Sequence, residues 1–292
     1  MPDRQDARLN AFRPDLADAR LKGRVEAERF VEGEVRRVLA PIAPLRRRPE
    51  DGAPLDTELL MGERVTVFED AGDGWCWVQA GADSYVGYVP TACIGRVDDA
   101  APPTARVPVP RTLVFPAPDI KRPPLGALPM GALVSVVGEA SDHNADYREL
   151  ASGGFVVRQH LAPLGEVESD FVAVAERFLG VPYLWGGKSV LGIDCSGLLQ
   201  LALEMTGASA PRDADMQERD LGTRLAGVEG LQRGDLIFWK GHVGMMLDGR
   251  NLLHANAHHM MVAREPLVET IERLTAKAVA ITSVRRLRGD TG

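Results

Sequence analysis

The chain has 292 residues, 45% of them hydrophobic and 26% charged, and a formal net charge of -7. That length admits two or three domains with a sizeable core. The acidic balance argues against nucleic acid or an anionic membrane as the main partner, because both are bound through a surplus of Lys and Arg.

The first residues, MPDRQDARLNAFRPDLADAR, carry charges every few positions. They lack the basic start and apolar stretch of a secretory signal. No run approaches the roughly 18 apolar residues of a membrane span, so a cytoplasmic protein is expected. Residues 1–33 read as a polar leader, helical over about 14–32 (DLADARLKGRVEAERFVE), that packs onto a later domain.

Residues 34–98 alternate apolar and polar in short bursts: RVTVFED, GWCWVQA and SYVGYVP. Bounded by Gly and Asp, these predict short antiparallel strands. Residues 99–110, DAAPPTARVPVP, read as a proline-rich linker. Residues 111–164 repeat the preceding plan. LLMGERVTVFEDAGD at 59–73 matches LPMGALVSVVGEASD at 128–142, and YVGYVPTACI at 85–94 aligns with GGFVVRQHL at 153–161. A period of roughly 70 residues is too long for a solenoid and fits two copies of one small β-barrel. The turn chemistry and spacing resemble bacterial SH3 domains.

From residue 167 the pattern changes. SDFVAVAERFLG predicts a helix capped by Ser169 or Asp170 and ended by Gly180. A PYLWGG loop follows, then a helix from Cys195 to Met205 stopped by Gly207. The runs DLIFW, HVGMML, NLLHAN and AVAITSVRRL predict antiparallel strands, giving an α+β domain over 167–287.

The three cysteines, Cys76, Cys93 and Cys195, form no CxxC pair. They make a poor disulfide framework and no thiolate zinc site. Cys195 stands in the first turn of its helix, where unpaired amides and the positive helix end favour a thiolate and can receive an oxyanion. A small buried thiol is the plain alternative. The needed base is among six histidines. His242 opens one strand, and His254 lies twelve positions on, beyond a DGRN turn. A tight hairpin puts the two on neighbouring positions of one face. A cysteine, a histidine and a polar group orienting that histidine make a nucleophilic triad. HANAHHMM holds three of the histidines, but no carboxylate or thiolate accompanies His258 and His259, and no metal or other cofactor is expected.

VPYLWGGKSVLGIDCSGLLQLAL, GDLIFWKGHVGMML and NLLHANA, in this order, resemble the NlpC/P60 family of papain-like cysteine peptidases. The resemblance covers about 167–287. It implies Cys195 as nucleophile, His242 as general base, His254 as the residue orienting it, and Tyr183 near the nucleophile. It also implies hydrolysis of amide bonds in bacterial cell-wall peptides. The whole layout, a papain-like domain after two SH3-like barrels, resembles γ-D-glutamyl-L-diamino acid endopeptidases, also called dipeptidyl-peptidase VI. That likeness implies that Glu63, with Tyr85, binds the free amine of an N-terminal L-Ala, as an ammonium requires an acid. It further implies substrate contacts at Asp194, Ser196, Arg212 and Asp213, and a role in recycling small wall-derived peptides. Two other readings remain: a wall-fragment binding scaffold with an inert papain-like domain, and an amide acyltransferase on the same fold. Oligomeric state and the choice between diaminopimelate and lysine are not legible.

Overall fold

A computed structural model describes residues 5–97 and 101–287. The first four residues of the expected leader, the last residue of the first expected barrel and the first two of the expected linker lie outside the described residues. The chain divides into two compact units, residues 1–166 and 167–292.

In the first unit, seven strands form one antiparallel sheet in the order Leu55–Leu60, Ile42–Arg46, Val86–Pro90, Trp75–Ala80, Arg64–Asp70, Glu34–Val38, Ile94–Arg96. Alternation along these strands sends Val38, Leu45, Leu59, Val65, Val67, Val78 and Val89 into a common core. The expected helix over 14–32 is absent. That stretch holds two short parallel strands, Leu16–Asp18 and Arg29–Val31, and one 3-10 turn, Ala19–Leu21. Tertiary packing overrides its helix-forming composition. Ala11 and Leu16 are buried against Phe68 and Trp77 on the other face of the sheet, and the Arg13 guanidinium stacks 4.4 Å over the Trp77 ring.

The rest of this unit repeats the element order with shorter strands. The Met61-Gly62 turn between Leu55–Leu60 and Arg64–Asp70 is matched by Met130-Gly131, between Gly126–Pro129 and Leu133–Val134. Both glycines sit at φ +87°, a left-handed conformation strained for any other residue. The expected linker is not free of structure. Ala105–Arg106 pairs with both Leu133–Val134 and Ala162–Pro163, and Val107 is buried in the local core. Its prolines flank a strand too short to announce itself.

In the second unit, α1 (Phe171–Glu176) is capped by Asp170, whose side chain accepts from the amides of Val172 and Ala173. Then come α2 (Cys195–Met205), α3 (Ala214–Asp220) and α4 (Leu267–Thr275). Six antiparallel strands form one sheet in the order Thr223–Arg224, Ile281–Arg286, Leu236–Trp239, His242–Met246, Asn251–Asn256, Met261–Pro266. Helix α2 is buried almost all round and packs on the strands that begin at His242 and Asn251. The turn between those strands is held by Asp248 Oδ1, which accepts from the amides of Arg250 and Asn251. This sets the register Met245 to Leu253 and Met246 to Leu252. Counting back, His242 and His254 fall diagonally on one face. No helix among the described residues is long and apolar enough to cross a membrane.

Candidate active site

Asp194 is the N-cap of α2 and the hub of a buried polar cluster. Its Oδ1 accepts from the Gly197 amide at 2.7 Å, and its Oδ2 from the Gly186 amide at 2.8 Å. The Arg212 guanidinium donates to both oxygens, at 2.9 and 2.8 Å, and to Ser196 Oγ at 2.9 Å. Gln217 Nε2 donates to the Ser196 carbonyl at 2.9 Å. The PYLWGG loop can lie this close only because position 197 has no side chain. A Cβ there would collide with the Gly187 carbonyl oxygen.

Three residues expected to touch substrate lie in this cluster. Arg212 is only 1% exposed and spends its fork on Asp194 and Ser196. Asp194 and Ser196 are buried too, and their oxygens face that fork. All three fasten the start of α2. A charged pair at this depth is retained only with its bonds satisfied. Asp213 differs: it is half-buried at the head of α3 and its side chain does not cap that helix.

Cys195 is the first residue of α2, and the amides of Val243 and Ser196 point at its sulfur. Burial, then the charge of Asp194, pushes the thiol up to about 12, against the opposing pull of those amides and Arg212. Tyr183 is half-buried beside it. Burial, then Cys195 and Asp194, raises its phenol, which therefore stays a hydrogen-bond donor.

Val243 follows His242, so the amide at the sulfur and the imidazole come from consecutive residues. His242 Nε2 lies 2.8 Å from His254 Nδ1, and Trp239 flanks the ring at 5.6 Å. His254 is 1% exposed, and its Nε2 lies 2.6 Å from Glu265 Oε1. Arg273 of α4 grips Glu265 with two bonds of 2.6 Å. Glu265 and Arg273 carry no signature in the sequence. The strand Met261–Pro266 and α4 lay outside the expected elements, yet the register pairs His254 with Ala263, two residues from Glu265 on the same face.

Burial, then His254 and Arg273, pushes His242 down to about 3. Burial also lowers His254, although Glu265 opposes it. Burial alone would raise Glu265, but the bonds from Arg273 and His254 outweigh it and hold the carboxyl well below its usual range. Burial thus disfavours the charged form of both thiol and imidazole. A stability prediction follows. All three lowered groups bind protons more readily in the unfolded chain than in the folded one. The contribution of both histidines is complete above their ordinary value of 6.5 and is lost as pH falls below it, for His242 down to about 3, whereas that of Glu265 is lost only below its ordinary value of 4.5. The melting temperature should fall steadily between neutrality and about pH 4. A flat profile there would contradict the burial of both imidazoles.

Comparison with known proteins shows the family. Residues 180–278 match the NlpC/P60 family model, and residues 45–94 match the model of the bacterial dipeptidyl-peptidase SH3 domain. The chain is 30% identical over 237 residues to dipeptidyl-peptidase 6 of Lysinibacillus sphaericus, spanning 75% of this chain and 86% of that one. The chain belongs to the NlpC/P60 family. As a member of it, the protein is a cysteine peptidase that also carries a bacterial SH3 domain. It is similar as well to a γ-D-glutamyl-L-lysine dipeptidyl-peptidase of Bacillus cereus, at 28% identity over 249 residues, covering 73% of this chain and 71% of that one. A solved NlpC/P60 family protein from Bacillus cereus shares the fold, with a TM-score of 0.72 at 22% identity, covering 87% of this chain and 99% of that one.

Two expected substrate residues lie in the first unit. Glu63 is half-buried in the turn that carries Gly62. Tyr85 is 3% exposed and packs among the core residues of the seven-stranded sheet.

Proposed function

We propose that this peptidase cuts the γ-D-glutamyl-L-diamino acid amide of small peptidoglycan-derived peptides that begin with a free L-Ala. The observation that carries the reading is the meeting of Cys195, at the α2 N-terminus, with the strand that opens on His242, itself backed by His254. The names of the similar proteins supply the substrate class. Residues 34–98 and 111–164 are read as two SH3-like barrels ahead of a catalytic domain at 167–287. The repeated Met-Gly turns support that count.

His242 takes the thiol proton as the sulfur attacks the scissile carbonyl. The amide at Cys195 and the Tyr183 hydroxyl receive the oxyanion. The C–N bond breaks as His242 returns the proton to the departing amine. Water, deprotonated by His242, then hydrolyses the thioester and frees the thiol. The half-buried carboxylate of Glu63 serves the alanine ammonium. Asp213 serves the substrate side of the cleft. Such an amine requirement suits soluble fragments and is in keeping with a role in cytoplasmic recycling.

Mass spectrometry of products from L-Ala-γ-D-Glu-diaminopimelate should show L-Ala-γ-D-Glu and free diaminopimelate. Acetylating the alanine should lower kcat/KM by about 10²-fold or more, the order expected when a buried polar partner is left unpaired. Equal turnover of both peptides would remove Glu63 from the account, and an intact tripeptide would remove the reaction itself.

A further inference from the structure

Glu265 and Arg273 lie beyond the three residues that attack and transfer the proton. We propose that Glu265, held by Arg273, is the positioning residue that sets the tautomer of both histidines, so that His242 presents an unprotonated Nδ1 to Cys195. This rests on the reading of Cys195 and His242 as nucleophile and base.

The argument is a count of protons along a chain of short contacts. An ionised carboxylate only accepts. Glu265 Oε1 takes Arg273 Nη2 and His254 Nε2, each at 2.6 Å, while Oε2 takes Arg273 Nη1 at 2.6 Å. The proton in the His254–Glu265 contact therefore sits on His254 Nε2. A neutral imidazole carries a single N–H, so His254 Nδ1 is bare and accepts. The atom facing it at 2.8 Å is His242 Nε2, which must donate. The lone pair of His242 is then on Nδ1, the nitrogen left for the thiol. Reversing every proton would require a protonated Glu265, and the guanidinium fork excludes that, since it needs two accepting oxygens. Arg273 also balances the carboxylate, so that His254 is oriented without being turned into an imidazolium. One other imidazole faces the carboxylate: His259 Nδ1, 4.0 Å from Oε1, is engaged by Asn256 Oδ1 at 3.1 Å.

Arg273 donates to both carboxylate positions, so a test of the acceptor at His254 must remove the guanidinium from both variants compared. Glu265→Gln/Arg273→Met leaves an amide oxygen free to accept from His254 Nε2. Glu265→Leu/Arg273→Met leaves no acceptor there, so neither tautomer is set. In the full-length protein, the leucine variant should lose at least about 10²-fold in kcat with KM within about two-fold, as wrong-tautomer variants of a triad behave. The glutamine variant should keep most of that factor. Nitrogen-15 spectra of histidine-labelled protein should show His242 protonated on Nε2 in the wild type and the glutamine variant, and divided between its two nitrogens in the leucine variant. A merely structural Glu265 predicts the same kcat and the same spectrum for both double variants. A wild-type spectrum with His242 protonated on Nδ1 overturns the proposal even if no variant folds. Should the tripeptide not be cleaved by the wild type, the proposed reaction fails, while the spectrum still decides the tautomers.

Discussion

Replacing His242 with alanine should lower kcat on the tripeptide by about 10³- to 10⁴-fold while leaving KM near its wild-type value. The size of the effect follows from the thiol. Burial raises the Cys195 thiol well above its ordinary value, so little of it is ionised at neutral pH before substrate arrives. A sulfur so rarely ionised depends on a base that removes its proton during attack. Alanine leaves the amides of Val243 and Ser196 in place and removes only the base. Alkylation of Cys195 by iodoacetamide near neutral pH should fall in parallel, followed by peptide mapping because Cys76 and Cys93 also compete. Burial raises those two thiols as well. A variant keeping about a tenth of the wild-type kcat would show that His242 is not the base. An unreactive Cys195 in the wild type would instead favour a binding scaffold with an inert papain-like domain.

Arg212→Met should destabilise the protein by about 3–5 kcal/mol, the usual effect of removing one partner of a buried ion pair. Methionine roughly fills the space but leaves the Asp194 carboxylate charged, with Ser196 Oγ stripped of its donor. Adding Asp194→Asn removes the stranded charge and keeps a capping oxygen for the Gly197 amide, so the double variant should recover part of the loss. Urea denaturation measures both. The experiment also separates the two roles available to Arg212. A substrate contact would raise KM and leave stability within about 0.5 kcal/mol, as for an exposed side chain.

The parts of the site that could be read from the sequence are those built locally. Cys195 is marked by a helix start, and His242 and His254 by one hairpin whose register follows from its turn. Asp170 as the α1 cap and the span of α2 are legible for the same reason. Glu265 and Arg273 reach the site from a separate strand and helix, and MVAREP followed by LVETIERLT reads like an ordinary solvated surface. Only the pairing of Leu252 with Glu265 turns that glutamate inward. The motif marks Arg212 as important, but only the fold shows its guanidinium buried against Asp194 and Ser196. The N-terminal stretch misleads because Ala, Leu, Arg and Glu favour a helix when nothing else competes, and the Phe68–Trp77 surface competes.

The turn at Asp248 carries a consequence for how such a chain tolerates change. Surface loops ordinarily accept an inserted or deleted residue with little harm. Here one added residue between Leu247 and Asn251 would shift the pairing by one and send His254 to the opposite face of the sheet. The sheet could still form and the sulfur would stay where it is, but the base would lose its orienting neighbour. In this segment it is length, more than the identity of any side chain except Asp248, that encodes the chemistry, at a distance from every atom that reacts.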